Sequence, residues 1–264
     1  MHMNTSRKGL KVHEYKILDL FSGIGGFSLG FENAGPFRTI AFCEQDEFAQ
    51  SILKKHWPSV PIYEDVRTLR TEELGEVDII CGGFPCQDLS TSGKRSGLEG
   101  ERSGLWSEII RMARETHPGF IVVENVANLL VGPSEQPGRW FGRVLSDLAE
   151  IGYDAEWHCI CASAMGAVHH RDRVWIIAYP SGDRRCGSGP LLNQITTQSG
   201  TLWPSEASFW NACREWDGNL GDLPDLREDD GISLAAYRLK ALGNSICVPI
   251  ATEIGKAILE SERQ

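Results

Sequence analysis

At 264 residues the chain is long enough for one substantial domain, or a main domain plus a small one, and too short for two full domains. Hydrophobic residues make up 41% and charged residues 23%, ordinary for a soluble globular protein, and no apolar run approaches the roughly 18 residues of a membrane span. The formal net charge of -10 argues against an extended basic surface, but a polyanion meets a local face rather than an average, so nucleic acid is not excluded as a partner.

The stretch Met1 to Lys11 is polar and lacks the apolar centre of a secretory signal; it reads as a short tail or cloning remnant, and a cytoplasmic setting is expected. None of the eight cysteines forms a Cys-x-x-Cys pair, so neither a disulfide framework nor a metal site is predicted. Tyr15 to Leu20 is an apolar run interrupted by Asp19, followed by the glycine-rich turn Phe21-Ser22-Gly23-Ile24-Gly25-Gly26 and a helical pattern to Asn33. Thr39 to Cys43 predicts a second strand, ending at Glu44-Gln45, and Glu47 to His56 a helix stopped by Pro58. Further strands are expected at Val77 to Cys81 and Phe120 to Val123, with helices at Leu105 to Glu115 and Arg139 to Ile151.

This rhythm predicts an α/β fold with a doubly wound, mainly parallel sheet, which Tyr153 to Ala162 and Val174 to Tyr179 would close as an antiparallel pair. Residues 12–179 would form the main domain. From 180 to about 232 Gly, Ser, Pro and Asn are frequent and Trp203, Trp210 and Trp216 stand in irregular context, which marks a small second region. Residues 233–264, with a helix over Val248 to Ser261, would return to the first domain.

In a doubly wound sheet ligands sit outside the carboxyl ends of the strands, and the unusual residues of this chain cluster at those ends. The glycine turn with Glu44 after the second strand suits an adenosine-containing cofactor, or serves packing alone; it is a poor match to the Gly-x-Gly-x-x-Gly of dinucleotide sites. In Gly82-Gly83-Phe84-Pro85-Cys86-Gln87 a cysteine follows a buried strand on a loop stiffened by proline, a setting that presents a nucleophile, although a single cysteine is more often structural. Lys94, Arg95, Arg171 and Arg173 are candidate sources of activating charge. Glu124-Asn125 ends a further strand, as a desolvated acid in a cleft or as a surface cap. Arg171-Asp172-Arg173 reads as a solvated edge or as a forked grip on an oxyanion.

Taken in order, Asp19 to Gly26, Gly83 to Gln87, Glu124-Asn125-Val126, Arg171-Asp172-Arg173 and Gly243-Asn244-Ser245 resemble the cytosine-5 DNA methyltransferase family, over roughly residues 15–179 and 238–256. The resemblance implies a Rossmann-like methyltransferase fold, S-adenosylmethionine as cofactor, double-stranded DNA as partner, no metal, and a monomer; a companion restriction endonuclease would leave no mark in this sequence. Phe21, Ser22, Gly23, Ile24, Gly25 and Gly26 would hold the methionine and sugar, Glu44 the ribose hydroxyls, and Asp65 the adenine amino group. Gln45, Val66, Phe84, Leu105, Asn244 and Ser245 would complete the pocket. Gln45 stands where the family often has an aromatic residue, and His169 where it often has Gln.

By the same resemblance Cys86 would add to carbon 6 of a flipped-out cytosine, with Pro85 shaping its loop and Asn125 fixing it. Glu124 would act at ring N3, Arg173 and Arg171 would hold the base oxygen, and the methyl would go to carbon 5. The loop from Gln87 to Arg102, with Ser90, Ser92, Lys94 and Arg95, would close over the DNA, and residues 180–232 would read the target sequence. An RNA cytosine-5 methyltransferase of the same family shares the chemistry and is the alternative. The family's Arg-rich block between the recognition region and Gly-Asn-Ser survives here only as a remnant around Tyr237 to Lys240.

Overall fold

The computed structural model describes residues 13–84, 104–132, 137–165, 171–182, 191–192 and 244–262. Its centre is a seven-stranded sheet in the order β3-β2-β1-β4-β5-β7-β6. The strands are β1 (Tyr15–Leu20), β2 (Phe37–Cys43), β3 (Ile62–Tyr63), β4 (Ile79–Gly82), β5 (Phe120–Val126), β6 (Tyr153–Cys161) and β7 (Asp172–Pro180). All pairings are parallel from β3 through β5, whereas β7 runs antiparallel to both β5 and β6. The helices are α1 (Gly26–Ala34), α2 (Glu47–His56), α3 (Gly104–Thr116), α4 (Arg139–Glu150) and α5 (Val248–Ser261).

Two apolar layers follow from the two-residue period of the strands. Leu18, Leu20, Ile80, Ile121, Val123, Val174 and Ile176 point to one side, against Ile109, Met112 and Ala113 of α3 and Val144 and Leu148 of α4. Ile17, Ile79, Phe120, Val122, Trp175 and Ile177 point to the other, against Phe27 and Phe31 of α1 and Ile250, Ile254 and Ile258 of α5. Central strands with apolar residues on both faces are buried on both sides, which is why these runs read as continuous rather than alternating.

Helix α5 is seated by a helix–helix contact with α1. A Cβ on Gly30 would lie 2.5 Å from the Cβ of Ala251 and 2.9 Å from the carbonyl of Val248, so α1 and α5 meet nearly backbone to backbone. Leu191 and Leu192 are buried in the same layer, their amides donating to the carboxylate of Glu156 on β6 at 2.9 and 3.1 Å. The expected strands and helices are present with shifted ends: β2 begins at Phe37 rather than Thr39, and β7 at Asp172 rather than Val174. The two-residue β3 carries too short a pattern to be read from sequence. Among the described residues no helix is long and apolar enough to cross a membrane, and no group of His, Cys, Asp and Glu could hold a metal ion.

Candidate active site

Because β1 to β5 are parallel, Leu20, Cys43, Tyr63, Gly82 and Val126 all end on one edge of the sheet. The antiparallel β7 starts on that edge, with Arg173 opposite Val126. The topology therefore delivers the Phe21–Gly26 turn, Glu44, Asp65, Phe84, Glu124, Asn125 and the two arginines to one place.

The glycine turn is built by backbone conformation and buried hydrogen bonds. Gly23 and Gly25 take positive φ values of 53° and 85°, the left-handed region that glycine enters without steric cost. Phe21 takes φ 53° as well, where a bulky residue costs about 1–3 kcal/mol and marks a turn held in shape by its surroundings. The Ser22 hydroxyl donates to the carbonyl of Asp19 at 2.6 Å and accepts from the amide of Cys43 at 3.3 Å, tying the ends of β1 and β2 together. Asp19 is fully buried, and its Oδ2 accepts from the hydroxyl of Ser28 at 2.7 Å and from the Ser28 amide at 3.3 Å, one of the free amides at the start of α1. Burial raises its carboxyl from 3.8 to about 7, against the pull of the Ser28 bonds.

Glu44, half-buried at the end of β2, accepts from the amides of Gly23 at 2.7 Å and Asp46 at 2.8 Å, one on each oxygen. Each oxygen keeps a further lone pair, the acceptor set that the two hydroxyls of a ribose diol require. A Cβ on Gly23 would have nothing within 4 Å, so the turn faces open space beside this carboxylate. These features fit S-adenosylmethionine. Next to them, Ile24, Gly25 and Gly26 are buried; the Trp57 ring lies 2.6 Å from where a Gly25 Cβ would stand, and Ile246 packs at 2.9 Å from that of Gly26. Gln45 is exposed. Asp65 is held by Arg67 through both its amide (2.9 Å) and its guanidinium (3.0 Å), while Val66 is buried beneath. Phe84 is buried against Trp106 at 5.3 Å between ring centres, and Leu105 is half-buried in the first turn of α3.

The other half of this edge is a buried ion cluster. Glu124 is 7% exposed, its Oε1 2.9 Å from Nε of Arg173 and 3.9 Å from Nη2 of Arg171. Burial pushes the Glu124 carboxyl above its ordinary value, and the two guanidinium charges pull it back only in part. Arg171 Nη2 also donates to the carbonyl of Ser245 at 2.9 Å, which ties the start of the C-terminal segment to β7; Asn244 beside it is exposed. Asn125 donates from Nδ2 to the carbonyl of Phe84 at 3.2 Å and accepts the Val126 amide at 2.8 Å. Three of the described cysteines, Cys43 and Cys81 buried and Cys247 half-buried, are poor nucleophiles: desolvation pushes Cys43 up to about 12 and Cys247 up to about 11, and raises Cys81 well above its ordinary value.

Pro85, Cys86, Gln87, Ser90, Ser92, Lys94 and Arg95 lie outside the described residues, as do His169 and most of residues 180–232, the stretch expected to read the target sequence. Sequence reasoning gave no role to Asp19 or Trp57, which shape the turn from behind; an acid closing an apolar run was the only available signal for Asp19.

A mainly parallel sheet with β7 inserted antiparallel between β5 and β6, a glycine turn beside Glu44 and a buried Glu–Arg cluster on one edge define a methyltransferase-like α/β protein. The profile described as C-5 cytosine-specific DNA methylase matches residues 15–207, and the chain belongs to that family. It is similar to the type II methyltransferase M.Sau3AI of Staphylococcus aureus, 37% identical over 182 residues that cover 64% of this chain and 44% of the relative. It is likewise similar to the type II methyltransferase M1.ScrFI of Lactococcus lactis subsp. cremoris, 31% identical over 217 residues that cover 79% and 54%. A putative DNA modification methyltransferase encoded within an E. coli prophage superposes with a TM-score of 0.52 at 26% identity, covering 63% of this chain and 47% of that one. The Dnmt2 methyltransferase of S. pombe gives a TM-score of 0.56 at 18% identity over 74% and 58%, a likeness of fold alone. The chain spans about half the length of the curated relatives it matches.

Proposed function

We propose that the protein methylates carbon 5 of a flipped-out cytosine in a specific DNA sequence. The observation that carries this reading is Glu124: a buried carboxyl with raised proton affinity, braced by Arg173, on the strand next to Gly82 and Gly83, whose continuation Asn125 grips at the Phe84 carbonyl.

S-adenosylmethionine, held by residues 21–26 with Glu44 at the ribose and Asp65, Val66 and Leu105 at the adenine, supplies an electrophilic methyl group when bound. The rest of the chemistry belongs to the chain and the base. Cytosine carbon 5 is a weak nucleophile while the ring is aromatic, so Cys86 adds as thiolate to carbon 6 and leaves carbon 5 electron-rich. Glu124 hydrogen-bonds ring N3, donating as a neutral acid or sharing its proton, and so offsets the negative charge that develops there. Arg173 holds Glu124 in place, and Arg171 ties that pair to the Ser245 segment. Loss of the carbon 5 proton through water returns the electron pair to the ring and expels the Cys86 thiolate. A base stacked in duplex cannot reach this arrangement, so it is extruded at a cost of a few kcal/mol. Residues 87–102 and 180–232 would contact the DNA and read the sequence.

The test is transfer of labelled methyl to unmodified duplex DNA and to transfer RNA, followed by bisulfite sequencing. Label appearing as 5-methylcytosine at a defined DNA site, lost in Cys86→Ser and trapped covalently on 5-fluorocytosine duplex by the unaltered protein, is the expected result. Label on the transfer RNA alone would replace the DNA reading, and label on neither would end it.

A further inference from the structure

The segment from Glu64 to Leu74 follows the short β3 and contains only a turn closed by the Thr68 amide on the Asp65 carbonyl and a single helical turn at Thr71–Glu73. Regular structure does not hold this stretch, yet it carries Asp65 and Val66. What fixes it comes from α3. Nη2 of Arg111 donates to the carbonyls of Val66 at 2.9 Å and Leu69 at 3.3 Å. The other faces of the same guanidinium are taken by acids of its own helix: Nε donates to Glu108 at 2.8 Å and Nη1 to Glu115 at 3.1 Å. Glu115 in turn accepts the hydroxyl of Thr71 at 2.9 Å, a second tie from α3 to the far end of the segment. Between these ties, the buried side chains of Val66 and Leu69 plug into the layer that contains Ile109 and Met112.

This arrangement spends a planar fork on two backbone carbonyls at once, with acids one helical turn to either side preventing the guanidinium from swinging away. A lysine in its place has no such fork and could not reach both carbonyls and both carboxylates. Leu105, in the first turn of the same helix, packs partly buried against that same layer.

We infer that Arg111 is the positioning residue of the adenine subsite: it sets the backbone of Val66 and Leu69, and through it the placement of Asp65, relative to Leu105. This rests on the proposed cofactor reading. Arg111 touches no substrate; it acts through the segment it holds.

The test uses the full chain and direct calorimetric titration, with S-adenosylhomocysteine and its inosine counterpart, which lacks the adenine amino group. The unaltered protein should prefer the adenosine compound. In Arg111→Lys the dissociation constant for S-adenosylhomocysteine should rise on the order of ten-fold, the loss of about one charge-assisted hydrogen bond, and the preference over the inosine compound should fall toward unity. General loosening of the fold would weaken both ligands equally and leave that ratio untouched. An unchanged ratio in a folded Arg111→Lys overturns the inference. Should that variant not fold, Glu115→Gln, which frees one side of the fork, decides in the same way: a reduced ratio supports it and an unchanged one overturns it. Failure of the unaltered protein to bind either compound would overturn the cofactor reading itself, a result distinct from binding that ignores Arg111.

Discussion

Arg173 sits opposite Val126 in the β5–β7 ladder, diagonal to Glu124, and its Nε reaches back across that diagonal to within 2.9 Å of Glu124 Oε1. The pair is buried and Arg171 stands 3.9 Å away, so one carboxyl faces two guanidinium groups while burial favours its neutral form.

If Glu124 serves ring N3 as acid, Glu124→Gln removes the proton and keeps the shape. We expect kcat for methyl transfer to fall by about 10²-fold or more, the usual weight of a general acid. Affinity for S-adenosylhomocysteine should change by less than about three-fold, under 1 kcal/mol, because Glu124 is tied to Arg173 and not to Glu44 or the amides of the glycine turn. Single-turnover transfer together with titration separates the two.

Asn125 bridges the Phe84 carbonyl and the Val126 amide from a nearly fully buried position. Asn125→Ala leaves both partners without it, and the fully buried one, the Phe84 carbonyl, costs about 1–3 kcal/mol when unsatisfied. Urea unfolding should register a loss in that range. Turnover should fall further than stability accounts for, since Phe84 leads directly into Pro85 and Cys86.

Asp19 gives a pH signature. Its folded value of about 7 lies above the ordinary 3.8, so the stability it contributes is complete below the ordinary value and is lost as pH rises through about 7. The groups around it are Ser28 of α1, Ser22 of the turn, Glu44 after β2 and Cys81 of β4, and the Glu44 charge raises it further. Asp19→Asn is neutral throughout. Between pH 5 and 7 the unaltered protein should lose stability relative to the variant by up to about 1.4 kcal/mol per pH unit. Denaturant titrations at three pH values check this, and parallel curves would refute the assignment.

Gly30 leaves no room between α1 and α5. Gly30→Val must push Ala251 and the Val248 carbonyl away, at a cost of about 1–3 kcal/mol for overpacking. Thermal unfolding reads the loss. Because Ile246, just before α5, packs against Gly26, cofactor affinity should weaken in the same variant, whereas a substitution on the exposed side at Glu260 should leave both unchanged.

The sheet was legible because its central strands are apolar on both faces and end in residues that an ordinary core strand would not carry: Asp19, Glu44, Glu124. The order of blocks also foretold that these ends would converge. Three features were not legible. β3 has two residues and no period. The tie from Arg111 to the Val66 and Leu69 carbonyls depends on backbone atoms 42 to 45 positions away, which no side-chain pattern reports. The approach of Gly30 to Ala251 joins helices far apart in the chain, and a glycine within a helical run reads from sequence as a mild weakness rather than as a contact surface.

The reversed direction of β7 has an evolutionary corollary. Since its beginning, not its end, meets the other strands at their tips, lengthening or shortening the connection before Asp172 can leave Arg173 where it is. One residue added inside Asp172–Pro180, downstream of Arg173, would slip the pairing and turn the guanidinium to the opposite side of the sheet. Insertions and deletions among natural variants should therefore accumulate on the approach to this strand and be purged from within it.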